Sequence, residues 1–294
     1  MYPDILELIG NTPLVTSKVL NTNPNVTLLF KLEGNNPGGS VKDRAAYNMI
    51  KSALERGDIT KQTKLIEATS GNTGIALAMI AGIYGLDIEL VMPENSTKER
   101  IQTMRAYGAK VTLTAEDVGI EGARDYAENQ VKNGAILLNQ FANDDNWKAH
   151  YKTTGPEIWR DTNNQITHFV SAMGTTGTIM GTSTYLKEKN NNIQIVGVQP
   201  KDGAKIPGIR KWPEAYLPKI FDARKVDKIM EVSQEQAENT TKRLATEEGI
   251  FSGISSGGAA YAAVQLANSL ESGTIVSIIC DRGDRYLSSG LFDV

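Results

Sequence analysis

The chain has a single cysteine, Cys280, and two histidines, His150 and His168. One cysteine rules out an intramolecular disulfide framework and fits a reducing compartment. The histidines stand far apart and share no ligand-like spacing with Cys280, so no metal site is expected. Aromatic residues make up only 6% of the chain, and no stretch approaches the ~20 consecutive apolar residues of a membrane-spanning helix. Residues 1–10 lack the basic-then-apolar pattern of a secretory signal, so the expected location is cytoplasmic. Charge of one sign is missing too. The net charge is -3 at pH 7, with lysines and arginines scattered among acids. Nucleic acid is therefore not an expected partner, although a local pocket can still take a small anion.

What is present suits an ordinary globular protein. Its 294 residues, 40% of them hydrophobic and 22% charged, are enough for about two domains with sizeable cores. A short β-rich run, a Gly/Ser/Thr turn and an Ala-rich helical stretch recur along the chain. Residues 64–68, 87–92 and 110–114 read as strands, with helices over 75–84 and 98–107. A second series has strands at 167–172, 194–198 and 275–280, and helices from the turn at 174–177 to about 189, over 234–248 and over 259–270. Such alternation predicts an α/β protein with two open, twisted, mostly parallel sheets flanked by helices. The polar stretch 139–152 joins the two series. Loop 200–221 is long for a compact domain, a trait of functional or mobile segments. Cys280 closes the last apolar run and reads as a small buried residue at a strand end.

Three turns have the composition of ligand-binding loops, and in open parallel sheets such loops lie at the C-terminal strand ends. Gly174-Thr175-Thr176-Gly177-Thr178 can crowd backbone N–H groups and hydroxyls around a phosphate at a helix N-terminus. Its glycine spacing is not that of a dinucleotide fingerprint, and it lacks the lysine of a P-loop. Thr69-Ser70-Gly71-Asn72-Thr73-Gly74 offers donors for a carboxylate, beyond the one residue a helix cap needs. Gly253-Ile254-Ser255-Ser256-Gly257-Gly258 presents neutral hydroxyls ahead of an Ala-rich helix. Each turn, taken alone, is also explained as a tight turn or a cap.

Lys42 sits differently from other lysines. Ser40 and Asp43 match a capping box for a helix over 41–54, which puts Lys42 in the first turn. There the positive end of the helix dipole disfavours a cation, whereas a Schiff-base lysine must act as a free amine. Pairing with Asp43, or plain solvation, explains the same lysine without any function.

In order and spacing, Ile9-Gly10-Asn11-Thr12-Pro13-Leu14, Ser40-Val41-Lys42-Asp43-Arg44 and the three turns together resemble the cysteine synthases. These are O-acetylserine sulfhydrylases of the tryptophan synthase β-subunit fold type (fold type II) of pyridoxal phosphate (PLP) enzymes. The likeness covers nearly the whole chain. Residues 206–213, 248–251 and 280–288 look like the B-type branch, in which Arg210 replaces an uncharged segment. Gly38-Gly39 departs from the more usual Ala-Gly or Thr-Gly, and the sequence stops at Val294, short of the tail many B-type members carry.

The resemblance implies a cofactor, pyridoxal 5'-phosphate, in a cleft between a smaller domain (36–146) and a larger one (1–35 plus 147–294). Lys42 would form the Schiff base and carry the α-proton, by way of an α-aminoacrylate. Asn72 would bond the ring hydroxyl oxygen, Gly174, Thr175, Thr176, Gly177 and Thr178 the phosphate, and Ser255 the ring nitrogen. Thr69, Ser70, Thr73 and Gln140 would bind the substrate carboxylate, and Arg210 an anionic substrate. The implied reaction makes L-cysteine, or S-sulfocysteine, from O-acetyl-L-serine and sulfide or thiosulfate, in a homodimer. Alternatives stay open: a cystathionine β-synthase-like or O-phosphoserine-dependent enzyme, a phosphate-cupping sensor, or a scaffold for serine acetyltransferase.

Overall fold

Runs rich in Val, Ile and Leu become strands, and the Ala-rich segments after them pack back as helices. The computed structural model describes residues 2–69 and 71–293. The chain opens with β1 (Leu14–Thr16) and β2 (Val26–Leu32) and then enters α1 (Lys42–Arg56). Next come β3 (Lys64–Ala68), α2 (Asn72–Tyr84), β4 (Asp87–Pro93), α3 (Lys98–Ala106), β5 (Lys110–Thr114), α4 (Gly119–Lys132) and β6 (Ile136–Leu137). After them follow α5 (Asp144–Lys152), α6 (Thr154–Asp161), β7 (His168–Ala172), α7 (Gly177–Lys189) and β8 (Gln194–Pro200). A long, mostly irregular segment leads to β9 (Lys228–Val232), α8 (Gln234–Glu248), α9 (Ile254–Ser269) and β10 (Gly273–Ile279).

One sheet runs β5-β4-β3-β6 with all neighbours parallel. The other runs β1-β2-β10-β7-β8-β9 and is parallel except at the β1–β2 edge. The expected architecture is present: two mostly parallel sheets flanked by helices. Strand β2 pairs with β10 from the far end of the chain, Val26 opposite Gly273 through Leu32 opposite Ile279. Each sheet has its own core. Leu28, Phe30, Val170 and Ile275 are buried with α9 side chains, while Leu65 and Leu90 are buried with Met49, Ile50, Leu77 and Ile80. Helix α2 is buried without interruption from Thr73 to Ala81, the mark of a helix enclosed on all sides rather than lying on a surface.

Four expectations from sequence need correction. Helix α2 begins at Asn72 rather than 75, and α9 at Ile254 rather than 259. A Cβ on Gly257 would collide with Thr241 Oγ1 and Ala237 O of α8. This glycine therefore serves a close helix crossing, and packing overrides its poor helix propensity. The second half of 139–152 is not a connector but helix α5, N-capped by Asn143, whose side chain accepts from Asp145 N at 3.0 Å. Finally, the capping box of Ser40 and Asp43 does not form. Ser40 Oγ accepts from Lys42 N at 3.2 Å, but the Asp43 carboxylate turns back to accept from Gly38 N.

Candidate active site

Strands β3, β7 and β10 each end beside residues singled out from sequence, at the edge where parallel sheets bind ligands. Lys42 is the first residue of α1. Its loop is stitched to the end of β10. Val41 N donates to Cys280 O at 2.8 Å, and Ser40 bridges to Asp281. Ser256 Oγ accepts from Cys280 N at 2.9 Å, which brings its neighbour Ser255, 3% exposed in the first turn of α9, to the same strand end. Cys280 thus stands at the strand end as expected, beside Lys42 and Ser255, but it is not fully buried there. It is half-buried, and burial pushes its thiol up to about 11, so it stays protonated at neutral pH.

The turn after β7 forms a cup. Thr176 adopts the left-handed conformation at φ 71°, unusual for a β-branched residue. Its Oγ1 is buried and has no hydrogen-bond partner among the described residues. An orphaned hydroxyl and the free N–H groups that open α7 are what an anion would satisfy. Beneath the cup lies α5. Asn146 Nδ2 donates to Thr175 Oγ1 at 3.2 Å, and His150 Nε2 lies 3.4 Å from Thr178 Oγ1. The other ring nitrogen of His150 is 2.8 Å from Thr154 Oγ1. Burial, helped by the Arg44 charge, lowers this histidine to about 3, so it acts as a neutral imidazole. The donor set fits a phosphate monoester.

Loop 206–212 covers the cup. A Cβ on Gly174 would sit 2.7 Å from Gly208 O, and one on Gly208 would sit 3.2 Å from the Ser255 side chain. Trp212 Nε1 donates to Gly174 O at 2.8 Å, and its ring meets Phe141 edge-on at 5.4 Å. Arg210 N donates to Met173 O at 2.8 Å, but the Arg210 side chain is exposed. Neighbouring Lys211 is tied to Asp202 and Glu231. On the other side of the site, Thr73 Oγ1 donates to Gln140 Oε1 at 2.7 Å, and both residues are buried. Thr69 is buried after β3; Ser70 lies outside the described residues.

Asn146, His150, Asp281 and Arg285 were given no site role from sequence, although they touch residues that were and although Asp281 and Arg285 lie in the 280–288 segment that resembles the B-type branch. Asn146 and His150 stand four residues apart, on one face of α5; recognising that helix was the missing step. Asp281 follows a strand end, which was a usable signal.

The chain belongs to the family of pyridoxal-phosphate-dependent enzymes, whose model matches residues 5–281. Within it, its place is among the B-type cysteine synthases. Cysteine synthase B of Pseudomonas aeruginosa is 58% identical over 293 residues, covering 99% of this chain and 98% of that protein. Cysteine synthase B of Escherichia coli is 54% identical, covering 97% and 95%. Among solved structures, cysteine synthase from Entamoeba histolytica superposes with a TM-score of 0.95 at 35% identity, covering 100% of this chain and 91% of that one.

Proposed function

We propose that the protein makes L-cysteine by replacing the β-acetoxy group of O-acetyl-L-serine with a sulfur nucleophile. The observation that carries the proposal is the convergence of Lys42, the Asn72 turn, the Gly174–Thr178 cup and Ser255 at the ends of strands from both sheets. Bound pyridoxal phosphate supplies the electron sink. Lys42 would hold the cofactor through its amine; once the amino group of the substrate takes its place, the freed amine would take the α-proton of the substrate and later return it. Gly174, Thr175, Thr176, Gly177 and Thr178 bind the phosphate. Asn72 donates to the ring hydroxyl oxygen. Ser255 meets the ring nitrogen as a neutral hydroxyl, which unlike a carboxylate does not keep that nitrogen protonated; this suits expulsion of a β-leaving group. Thr69, Ser70, Thr73 and Gln140 hold the substrate carboxylate.

Residues 36–146 act as a smaller domain against 1–35 plus 147–294, and the enzyme works as a cytoplasmic homodimer. Arg210 is exposed and, unlike Lys211, has no acidic partner among the described residues; in this reading it meets an anionic sulfur donor such as thiosulfate.

Colour is the first test. The purified protein should show a visible cofactor band that shifts on adding O-acetyl-L-serine, and Lys42→Ala should lower turnover at least about a thousandfold. A colourless protein that cannot be reconstituted, or a band indifferent to O-acetyl-L-serine, overturns the proposal. Arg210→Ala should impair thiosulfate more than sulfide; equal loss with both removes the role given to Arg210.

A further inference from the structure

The roles above leave unused the four charged residues of the segment from Asp281 to Ser288, and two of them, Asp281 and Arg285, reach Asn72. Arg285 Nη1 donates to Asn72 Oδ1 at 2.6 Å, and Asn72 Nδ2 donates to Asp281 Oδ2 at 2.7 Å. A guanidinium only donates and an ionised carboxylate only accepts. A flipped Asn72 would set its NH2 against the guanidinium and its oxygen against the carboxylate, so the pair admits one orientation.

Both clamping residues are themselves anchored. Asp281 accepts from Tyr286 Oη at 2.7 Å and from Gly253 N at 3.2 Å. Arg285 Nη2 donates to Gly38 O, in the loop before Lys42. That loop is shaped around the guanidinium, because a Cβ on Gly39, at φ +81°, would collide with Arg285 Nη2. The segment is also fastened to α3, where Ser288 donates to Glu99 from its N at 3.1 Å and its hydroxyl at 2.7 Å. Asn72 begins α2 beside one sheet, while Asp281 follows β10 of the other. The clamp therefore spans the sheets and ties the lysine loop to the asparagine turn.

We propose that Asp281 and Arg285 are positioning residues that lock the Asn72 amide so that its second N–H stays available to the cofactor's ring hydroxyl oxygen. Asp281 takes one N–H, and no other described residue takes the second. The proposal rests on the role given to Asn72 above, and its test separates the two.

The holoenzyme is compared with Asn72→Ala, Asp281→Asn, Arg285→Lys and, as a control on the exposed Arg282–Asp284 pair, Arg282→Ala. Three quantities are read: the position of the visible band, the cofactor dissociation constant and the melting temperature. Asp281→Asn and Arg285→Lys should shift the band in the direction of Asn72→Ala and weaken cofactor binding roughly tenfold, while Arg282→Ala changes neither. Adding Asp281→Asn to Asn72→Ala should bring no further shift, since the two would act as one unit. A wild-type band in Asp281→Asn and Arg285→Lys, with a shifted one in Asn72→Ala, overturns the clamp alone. An unshifted band in Asn72→Ala overturns the role of Asn72 and the clamp with it. Should Asp281→Asn not fold, Arg285→Lys decides.

Discussion

Glu67, near the end of β3, is buried, and its carboxylate accepts from Asn139 N at 3.2 Å. Burial pushes its carboxyl up to about 8, against the opposing pull of that N–H and of Arg124. Asp43 is raised in the same way, by burial, to about 7. A carboxyl raised on folding keeps its proton in the folded state after the unfolded chain has lost it. The folded state then holds the extra proton, and stability falls as pH rises from roughly 4.5 to 8. We expect denaturant midpoints to drop over that range, and Glu67→Gln to flatten the drop while adding about 1–3 kcal/mol at pH 8. An unchanged slope in that variant would mean that Glu67 ionises normally when folded. At this scale composition raised candidates, and the resemblance gave them roles. Glycines and hydroxyls before a helix drew notice to the turn at 174–178, and its place in a helix's first turn drew notice to Lys42, but either feature alone also suits a cap or a solvated side chain. Composition was silent where the job lies in a distant contact. Asn72 and Asp281 are 209 positions apart, and neither advertises the other.

Elements followed the same division. Strands β3, β5 and β8 and helices α3, α7 and α8 lie close to their expected places because turn or cap residues bound them: Gly108 follows α3, Gly177 opens α7, and α8 runs from the Ser233 capping box to Gly249. Strand β2 was passed over although Val26–Phe30 is a β-prone apolar run; near its end lies Lys31, a fully buried charge made tolerable by Glu157 at 2.8 Å. Helix α5 looked like a connector because its sequence is polar; what holds it is its crossing with α7. At that crossing Gly181 has no room for a side chain. A Cβ there would collide with Trp147 O and lie 2.7 Å from His150 Cβ and from Tyr151 N. Backbone cannot step aside as a flexible side chain can. Gly181→Ala should therefore part the two helices at a cost of about 2 kcal/mol, despite alanine's better helix propensity. Because α5 carries Asn146 and His150 beneath Thr175 and Thr178, cofactor affinity should fall as well. Thermal melts of the apoprotein, paired with cofactor titrations, separate the effects; a stabilised Gly181→Ala would refute the close crossing.

Across the whole molecule, the helix that begins with Lys42 is joined to the larger sheet by a buried ionic cluster. Arg44 Nε lies 2.7 Å from Glu33, at the end of β2, and Arg44 Nη1 lies 2.7 Å from Glu157 of α6; Lys31 completes the group from β2. Thr12 Oγ1 donates to Glu33 at 2.6 Å. Such a cluster adds little net stability when complete, but losing one member leaves buried charge without a counterpart. Burial alone would raise the Glu157 carboxyl; the hydrogen bonds and charges of Arg44 and Lys31 prevail and hold it at about 2. A carboxyl lowered on folding contributes stability that is fully present above roughly 4.5 and is lost as pH falls toward 2. This acid limb meets the alkaline decline set by Glu67 and Asp43; the depressed His150, which favours folding as pH rises from about 3 to 6.5, offsets part of that decline, so the fall should be steepest between about 6.5 and 8. Glu157→Gln leaves Arg44 and Lys31 undercompensated and should cost about 3–5 kcal/mol at pH 7. It should also flatten the acid limb, because no carboxylate remains there to be protonated. Because Arg44 lies two residues from Lys42, the variant should release cofactor at lower denaturant than wild type. Urea titrations at pH 3, 5 and 7, followed by tryptophan fluorescence and by the visible cofactor band, measure all three effects. A cost below about 1 kcal/mol with an unaltered acid limb would show that the cluster does not hold the lysine helix in place.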